Sequence, residues 1–309
     1  MKKIDVFNHI YPGKYINYFR EPDKMIQKLS TELPALVDVS KRIKNMDNLD
    51  IDMEILSLAL PAIDDLHVPE KDSAAIMKSA NDGILDIVEK YPDRFSAIGT
   101  VSLRDPPSAL DEAKRCINSL HLKGIQIVSN VVGKPVDIPE YDDFYALLEE
   151  NNVPLWLHPT FMRNTYDWLS ENMLDIMIGW DYDTTIALVR LLSSGLIKRH
   201  MNLKIIVHHI GSLLPLFAGR ISKFLDGSDD ENGESMKMMK SLYVDTAEGM
   251  WKPWLDEGIK FFGHEHVLFG TDYPWGNSKS IIENIEIEDI SVSRKEMIFS
   301  KNALRLLKI

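Results

Sequence analysis

Eight short runs of β-forming residues recur along the chain, each bounded by turn formers: 4–8, 53–59 (MEILSLA), 94–101 (RFSAIGTV), 123–129 (KGIQIVS), 154–158, 204–209, 242–246 (LYVDT) and 267–272. Between them lie segments whose apolar residues return every three or four positions, such as SAAIMKSANDGILDIVEKY (73–91) and YDDFYALLEENN (141–152). Strand alternating with helix predicts parallel strands joined by right-handed crossovers, and eight such strands predict a closed (β/α)8, or TIM, barrel. Two stretches exceed the simple alternation, 13–50 after the first strand and 160–200 after the fifth. They read as long insertions on the rim, of the kind that form lids or substrate walls. The closing helix MIFSKNALRLLK is preceded by Ser293 and Glu296, spaced as a capping box. Nothing in composition splits the chain, so 1–309 is expected to be one domain.

The 309 residues are 45% apolar, enough for a large core. Lys plus Arg number 35 against 47 Asp plus Glu, a formal charge of -12, and such a field repels phosphate backbones and anionic lipid. A nucleic-acid partner is therefore not expected. No apolar run approaches the ~20 residues that cross a membrane, and MKKIDVFNHIYPG does not read as a secretory signal. With the single cysteine, Cys116, on a helix stripe beside Ala113 and Ile117, no disulfide can form within the chain, and a cytoplasmic location is expected.

Four strand ends carry polar groups that bind metals or move protons: His9, His158, His209 and Asp272. In a parallel barrel the carboxyl ends of the strands gather on one rim, so these four become neighbours. Two imidazoles and a carboxylate suit a divalent ion of zinc or manganese type, with His9, His158 and Asp272 as ligands and His209 as a catalytic group beside them. Adjacent strand residues face opposite ways, so only one of His208 and His209 is expected to look inward. The HxH of GHEHV (263–267) enters the eighth strand rather than leaving it, which assigns His264 and His266 to the far face. Asp272 could instead cap the next helix, but the following Tyr273, Pro274 and Trp275 predict a stiff, partly apolar wall around its carboxylate. Asp245, closing the seventh strand, is expected to hydrogen-bond to the site.

In order along almost the whole chain, the segments DVFNHIYP (5–12), MDNLDIDMEILSL (46–58), DRFSAIGTVSL (93–103), VPLWLHPT (153–160), LFGTDYP (268–274) and KNALRLL (301–307) resemble the amidohydrolase superfamily. The likeness is to the amidohydrolase 2 group, which includes aminocarboxymuconate semialdehyde decarboxylase and the resorcylate-type decarboxylases. The resemblance implies a divalent metal held by strand-end ligands, an assisting histidine (His209) and an aspartate that moves a proton (Asp272). It also marks a departure: the first strand of the family carries His-x-His or Glu-x-His, whereas this chain has Phe7, Asn8, His9. Phe7 cannot coordinate a metal, so weaker binding is expected. A substrate carboxylate calls for an arginine. The resemblance points to Arg220, eleven residues after His209, reaching the neighbouring subunit's site in a homodimer, and Arg42 is a further candidate on the first insertion.

Taken together, these features predict a metal-dependent decarboxylase acting on a small carboxylated aromatic or unsaturated acid. Two alternatives stand beside it: a hydrolase opening a lactone or amide, possibly without metal, where His209 and Asp272 act by acid–base catalysis alone, and a barrel that only binds a ligand.

Overall fold

The computed structural model describes residues 1–19, 23–66, 68–163, 167–227 and 230–309. Its strands are β1 (Ile4–Ile10), β2 (Met53–Leu58), β3 (Phe95–Ala97), β4 (Gly99–Thr100), β5 (Ile125–Val128), β6 (Asn130–Val131), β7 (Lys134–Pro135), β8 (Leu155–His158), β9 (Ile205–Val207), β10 (Tyr243–Asp245) and β11 (Val267–Leu268). Every β run predicted from the sequence contains a strand. The order β1-β2-β3 forms one parallel sheet, β11-β10-β9-β8-β5-β4 a second, and β6 and β7 a small antiparallel hairpin. The chain is thus a mixed α/β structure built on parallel sheets.

The third predicted strand is divided at Ile98, so that β3 pairs with β2 while β4 pairs with β5. Ile98 N still donates to Leu56 O at 3.1 Å, and Gly99 N to Gly124 O at 2.9 Å. At the other edge, Val6 N donates to Phe269 O and Asp272 N to Phe7 O, both at 2.8 Å, and Asn8 forms a parallel bridge with Tyr273.

One buried cluster joins side chains from β1 (Ile4, Val6), β2 (Ile55), β8 (Trp156), β9 (Ile206) and β11 (Leu268) with Ile98 and the C-terminal Ala303, Leu306 and Leu307. Side chains from both sheets therefore meet in one interior. Gly270 is required where three segments converge, because a Cβ there would stand 2.8 Å from Asp245 Cβ and 2.9 Å from Phe7 Cβ.

Helices follow the predicted periodicity, with Ser73–Lys90 and Asp142–Glu150 in the segments that repeat every three to four residues. The capping box is corrected. The final helical stretch begins at Val292 with Ser291 as its cap, whose side chain accepts from Arg294 N. Ser291 has extended backbone (φ -60°, ψ 154°), as a cap requires, whereas Ser293 is already inside the first turn. The segment between β1 and β2 folds into the helices Gly13–Tyr18, Lys24–Glu32 and Val39–Leu49, and the segment between β8 and β9 includes Trp180–Ser193 and Leu196–Arg199. Cys116 is buried and free, its thiol pushed up by burial and by Glu112. Among the described residues, no helix is long and apolar enough to cross a membrane.

Candidate active site

A cavity of about 480 Å³ is lined by His9, His158, His209 and Asp272 together. Their sequence separations are large, yet each stands at or just past a strand end: His9 within β1, His158 as the last residue of β8, His209 two beyond β9 and Asp272 four beyond β11. The expected convergence is therefore present.

Hydrogen bonds fix which nitrogens face the centre. His158 Nδ1 lies 2.6 Å from the Pro159 carbonyl, which can only accept, so Nδ1 carries the proton and Nε2 the lone pair. Ser57 has one hydroxyl proton and donates it to Asn8 O at 2.9 Å. Its oxygen then accepts from His9 Nδ1 at 2.9 Å, which leaves Nε2 of His9 as a lone pair as well. Those two Nε2 atoms stand 3.4 Å apart, and Asp272 Oδ1 is 3.2 Å from His9 Nε2.

Electron pairs converging with no proton between them repel unless a cation sits among them. Donors ~2.1 Å from a common centre at near-tetrahedral angles would have about these separations, so the residues fit a divalent ion. Among the described residues no three His, Cys, Asp or Glu side chains already form a complete coordination group; the convergence is pairwise, with His9 common to both contacts. Burial, helped by His9 and His208, holds His158 well below the usual imidazole range, so it stays neutral and available as a donor.

Phe7 lines the same cavity, and its ring lies 4.5 Å from that of His9 and 5.5 Å from that of His158, centroid to centroid. The other polar residues of β1 cannot replace it as donors. Asp5 accepts from Phe7 N and from the Thr271 amide and hydroxyl, while Asn8 accepts from Arg42 and donates to Asp5 O and Ile55 O.

Both members of the histidine pair turn toward the interior, contrary to the alternation expected. His208 stacks on Phe7 at 3.6 Å and holds Asp245 through Nδ1 at 2.5 Å, while His209 lines the cavity. The reason is backbone: His209 has left extended geometry for φ 55°, so the two-residue period ends at His208. Asp245 makes the hydrogen bonds expected of it, also accepting from His209 N at 3.2 Å and Ala247 N at 3.0 Å. Burial pushes the Asp245 carboxyl up to about 7. For His209 burial opposes charge, but Asp181, 3.6 Å from its Nδ1, outweighs it with help from Asp272 and Asp245, and the imidazole is pushed up to about 9. The neighbouring carboxylates thus favour the protonated form of His209.

Asp272 is not a helix cap, since Asn277 caps the helix Ser278–Ile287. As expected, Trp275 walls the carboxylate, its ring 5.5 Å from that of His9. His264 and His266 stand apart from the cavity, His266 bonded to Phe262 O and packed on Tyr243.

The arginine expectations fare differently. Arg42 does not face a substrate: it is fully buried, paired with Glu54 at 2.8 Å, and donates at 2.6 Å to both His9 O and Asn8 Oδ1. Its fork braces the backbone of β1 beneath the site. Arg220 lies outside the cavity of its own chain, exposed on the helix Leu214–Leu225 and 5.3 Å from the Phe224 ring. Cavity residues that sequence reasoning did not single out include Asp181, Glu248, Trp180 and Met177. Glu248 had a readable signal, as an acid just past a predicted strand in YVDTAEG; Asp181 lies deep in an insertion and had none.

The family model described as amidohydrolase, Amidohydro_2, matches residues 4–309. The chain is 28% identical over 307 residues to a gamma-resorcylate decarboxylase of Rhodococcus jostii, covering 93% of this chain and 92% of the relative. It is also 28% identical over 282 residues to a 2-amino-3-carboxymuconate-6-semialdehyde decarboxylase of Dictyostelium discoideum, covering 87% and 76%. Among solved structures it is similar to a 5-carboxyvanillate decarboxylase of Novosphingobium aromaticivorans complexed with manganese and 4-hydroxy-3-methoxy-5-nitrobenzoic acid. That likeness has a TM-score of 0.86 and 26% identity over 100% of this chain and 96% of the other.

Proposed function

The chain belongs to the amidohydrolase family, and from that premise we propose that it is a metal-dependent decarboxylase of a small aromatic or unsaturated carboxylic acid. One observation carries the reading: the Nε2 lone pairs of His9 and His158 face each other at 3.4 Å with the Asp272 carboxylate beside them. His9, His158 and Asp272 would hold the ion, zinc or manganese by donor type. Such an ion, when bound, supplies positive charge that orients the substrate carboxylate and stabilises the electrons left on carbon as CO2 departs.

The remaining work falls to the chain. His209, protonated, faces the substrate as a fixed positive charge. Asp272 takes up one proton from solvent in each turnover and passes it to the carbon that keeps the bonding pair, so one C–C bond breaks and one C–H bond forms. Trp275, Trp180 and Leu60 line the cavity and offer apolar faces to a ring while keeping water from the carbanionic carbon.

The framework supporting this is taken as a closed (β/α)8 barrel in a single domain over 1–309, with the segments after β1 and β8 as long rim insertions. The hydrogen bonds from β1 to residues 269–273 support closure. A homodimer in the cytoplasm completes the reading, in which the exposed Leu216, Phe217 and Phe224 around Arg220 form the contact and Arg220 reaches the partner's cavity. Phe7, which donates nothing where a ligand is expected, favours one rival, a metal-independent lactone or amide hydrolase.

Elemental analysis of the dialysed protein, with a CO2-release screen of hydroxylated benzoates and unsaturated acids before and after chelation, separates the two. We expect a stoichiometric divalent ion and turnover that chelation abolishes and metal restores. Undiminished turnover by metal-free protein, or lactone opening without CO2, would overturn the proposal.

A further inference from the structure

The cavity changes character between its floor and its mouth. At the floor the polar groups are linked to one another, His9 to His158 at 3.4 Å and to Asp272 at 3.2 Å, and His209 to Asp181 at 3.6 Å. Among the described lining residues the only charge outside that linked set is Glu248. Toward the mouth the lining becomes Met25, Leu29, Ile176, Met177 and Met250, contributed by three separate segments between strands. Met25 and Leu29 stand four residues apart on the helix Lys24–Glu32 and so share one of its faces. Ile176 and Met177 lie in the short helical turn Asp175–Gly179, and Met250 follows β10. Exposure rises along the same path, from 2% at His9 and His158 to 59% at Met177.

Apolar side chains gathered in the open at a cavity mouth gain free energy when something covers them. A protein partner seated there would close the cavity to substrate, whereas a substituent on the substrate covers them as it enters. The space allows it: at ~30 Å³ for each water-sized unit, the cavity of about 480 Å³ takes roughly sixteen non-hydrogen atoms, and a hydroxybenzoate has about ten. Met25, Met177 and Met250 are unbranched thioethers that mould to an irregular, flexible group.

We infer that the mouth is a subsite for an apolar chain of about four to six carbons, carried by the substrate on the side of the ring opposite its carboxylate. The inference rests on the proposed seating of that carboxylate at the floor and adds the group at the far end.

Calorimetric titration of the purified protein with the 4-methyl, 4-butyl and 4-hexyl derivatives of 2-hydroxybenzoate tests it, with CO2 release from each acid followed in parallel. Affinity should rise about two- to fourfold per methylene covered, which makes the butyl compound roughly tenfold or more tighter than the methyl one. Met177→Asp should cut the hexyl-to-methyl ratio about fivefold, because it sets a charge against the chain. Met177 is mostly exposed, so the fold tolerates the change, and the wild-type series stands by itself should the variant misfold. A series that stays flat or falls overturns the subsite, and the decarboxylase reading survives it if CO2 is still released. A rise that Met177→Asp leaves intact also overturns it, since the chain then lies elsewhere. A rise that the variant abolishes, with no CO2 from any acid, supports the subsite and removes the decarboxylase. Failure of all three acids to bind overturns both.

Discussion

Phe7 is the residue at which this chain departs most plainly from the pattern it otherwise follows. Its ring fills the cavity floor, stacked on His208 at 3.6 Å and edge-on to His9 at 4.5 Å, where a donor would complete a fourth contact to an ion. Phe7→His should tighten divalent-metal binding, since one more neutral nitrogen within reach of a partly formed ligand group adds a bond. Titration of the chelated protein with manganese checks this, and an unchanged Kd would show that the position does not face the ion. Arg42 makes the opposite point, because a charged residue suspected of reaching substrate instead has no exposure and pairs with an equally buried Glu54. Arg42→Ala leaves that carboxylate unpaired and frees the His9 carbonyl, and should cost about 3–5 kcal/mol by denaturant unfolding. A loss under 1 kcal/mol, with weakened substrate binding, would return Arg42 to the substrate.

At the level of elements, strand positions were legible because β-branched and aromatic runs bounded by turn formers describe buried parallel strands directly. Strand ends were less so. The division of the third strand at Ile98 and the left-handed backbone at His209, Glu248 and Asp272 (φ 55°, 65° and 57°) arise where the chain leaves the sheet, and none of these four residues is itself a glycine that would announce it. Helix starts show the same limit: Ser291 and Ser293 both satisfy the capping rule by composition, and only backbone geometry selects Ser291. Ser291→Ala should therefore lower stability by about 1 kcal/mol, and Ser293→Ala by clearly less, measured by thermal unfolding. The reverse order would restore the capping box.

For the whole molecule, the decisive property is that polar groups from β1, β8 and the turns after β9 and β11 share one cavity while the apolar cluster around Ile4, Trp156 and Ile206 occupies the interior. The exterior raises a separate question, since the helix Leu214–Leu225 leaves Leu216 62% and Phe224 74% exposed beside Arg220. Patches of this kind mark interfaces. Light scattering should report a dimer, and Phe224→Asp should convert it to monomer by placing a charge in the apolar contact. A wild-type monomer at micromolar concentration would end that expectation and leave Arg220 a surface residue.

What the sequence determined by itself was the alternation of strands and helices, and with it the gathering of His9, His158, His209 and Asp272, because both follow from periodicity and from the parallel arrangement that alternation imposes. Tertiary structure alone decided that His208 turns inward with His209, that Arg42 is sealed beneath β1, and that Asp181 and Glu248 join the cavity wall. These outcomes depend on turn conformation and on which buried partner satisfies each charge, and both are set by contacts between residues far apart in the chain.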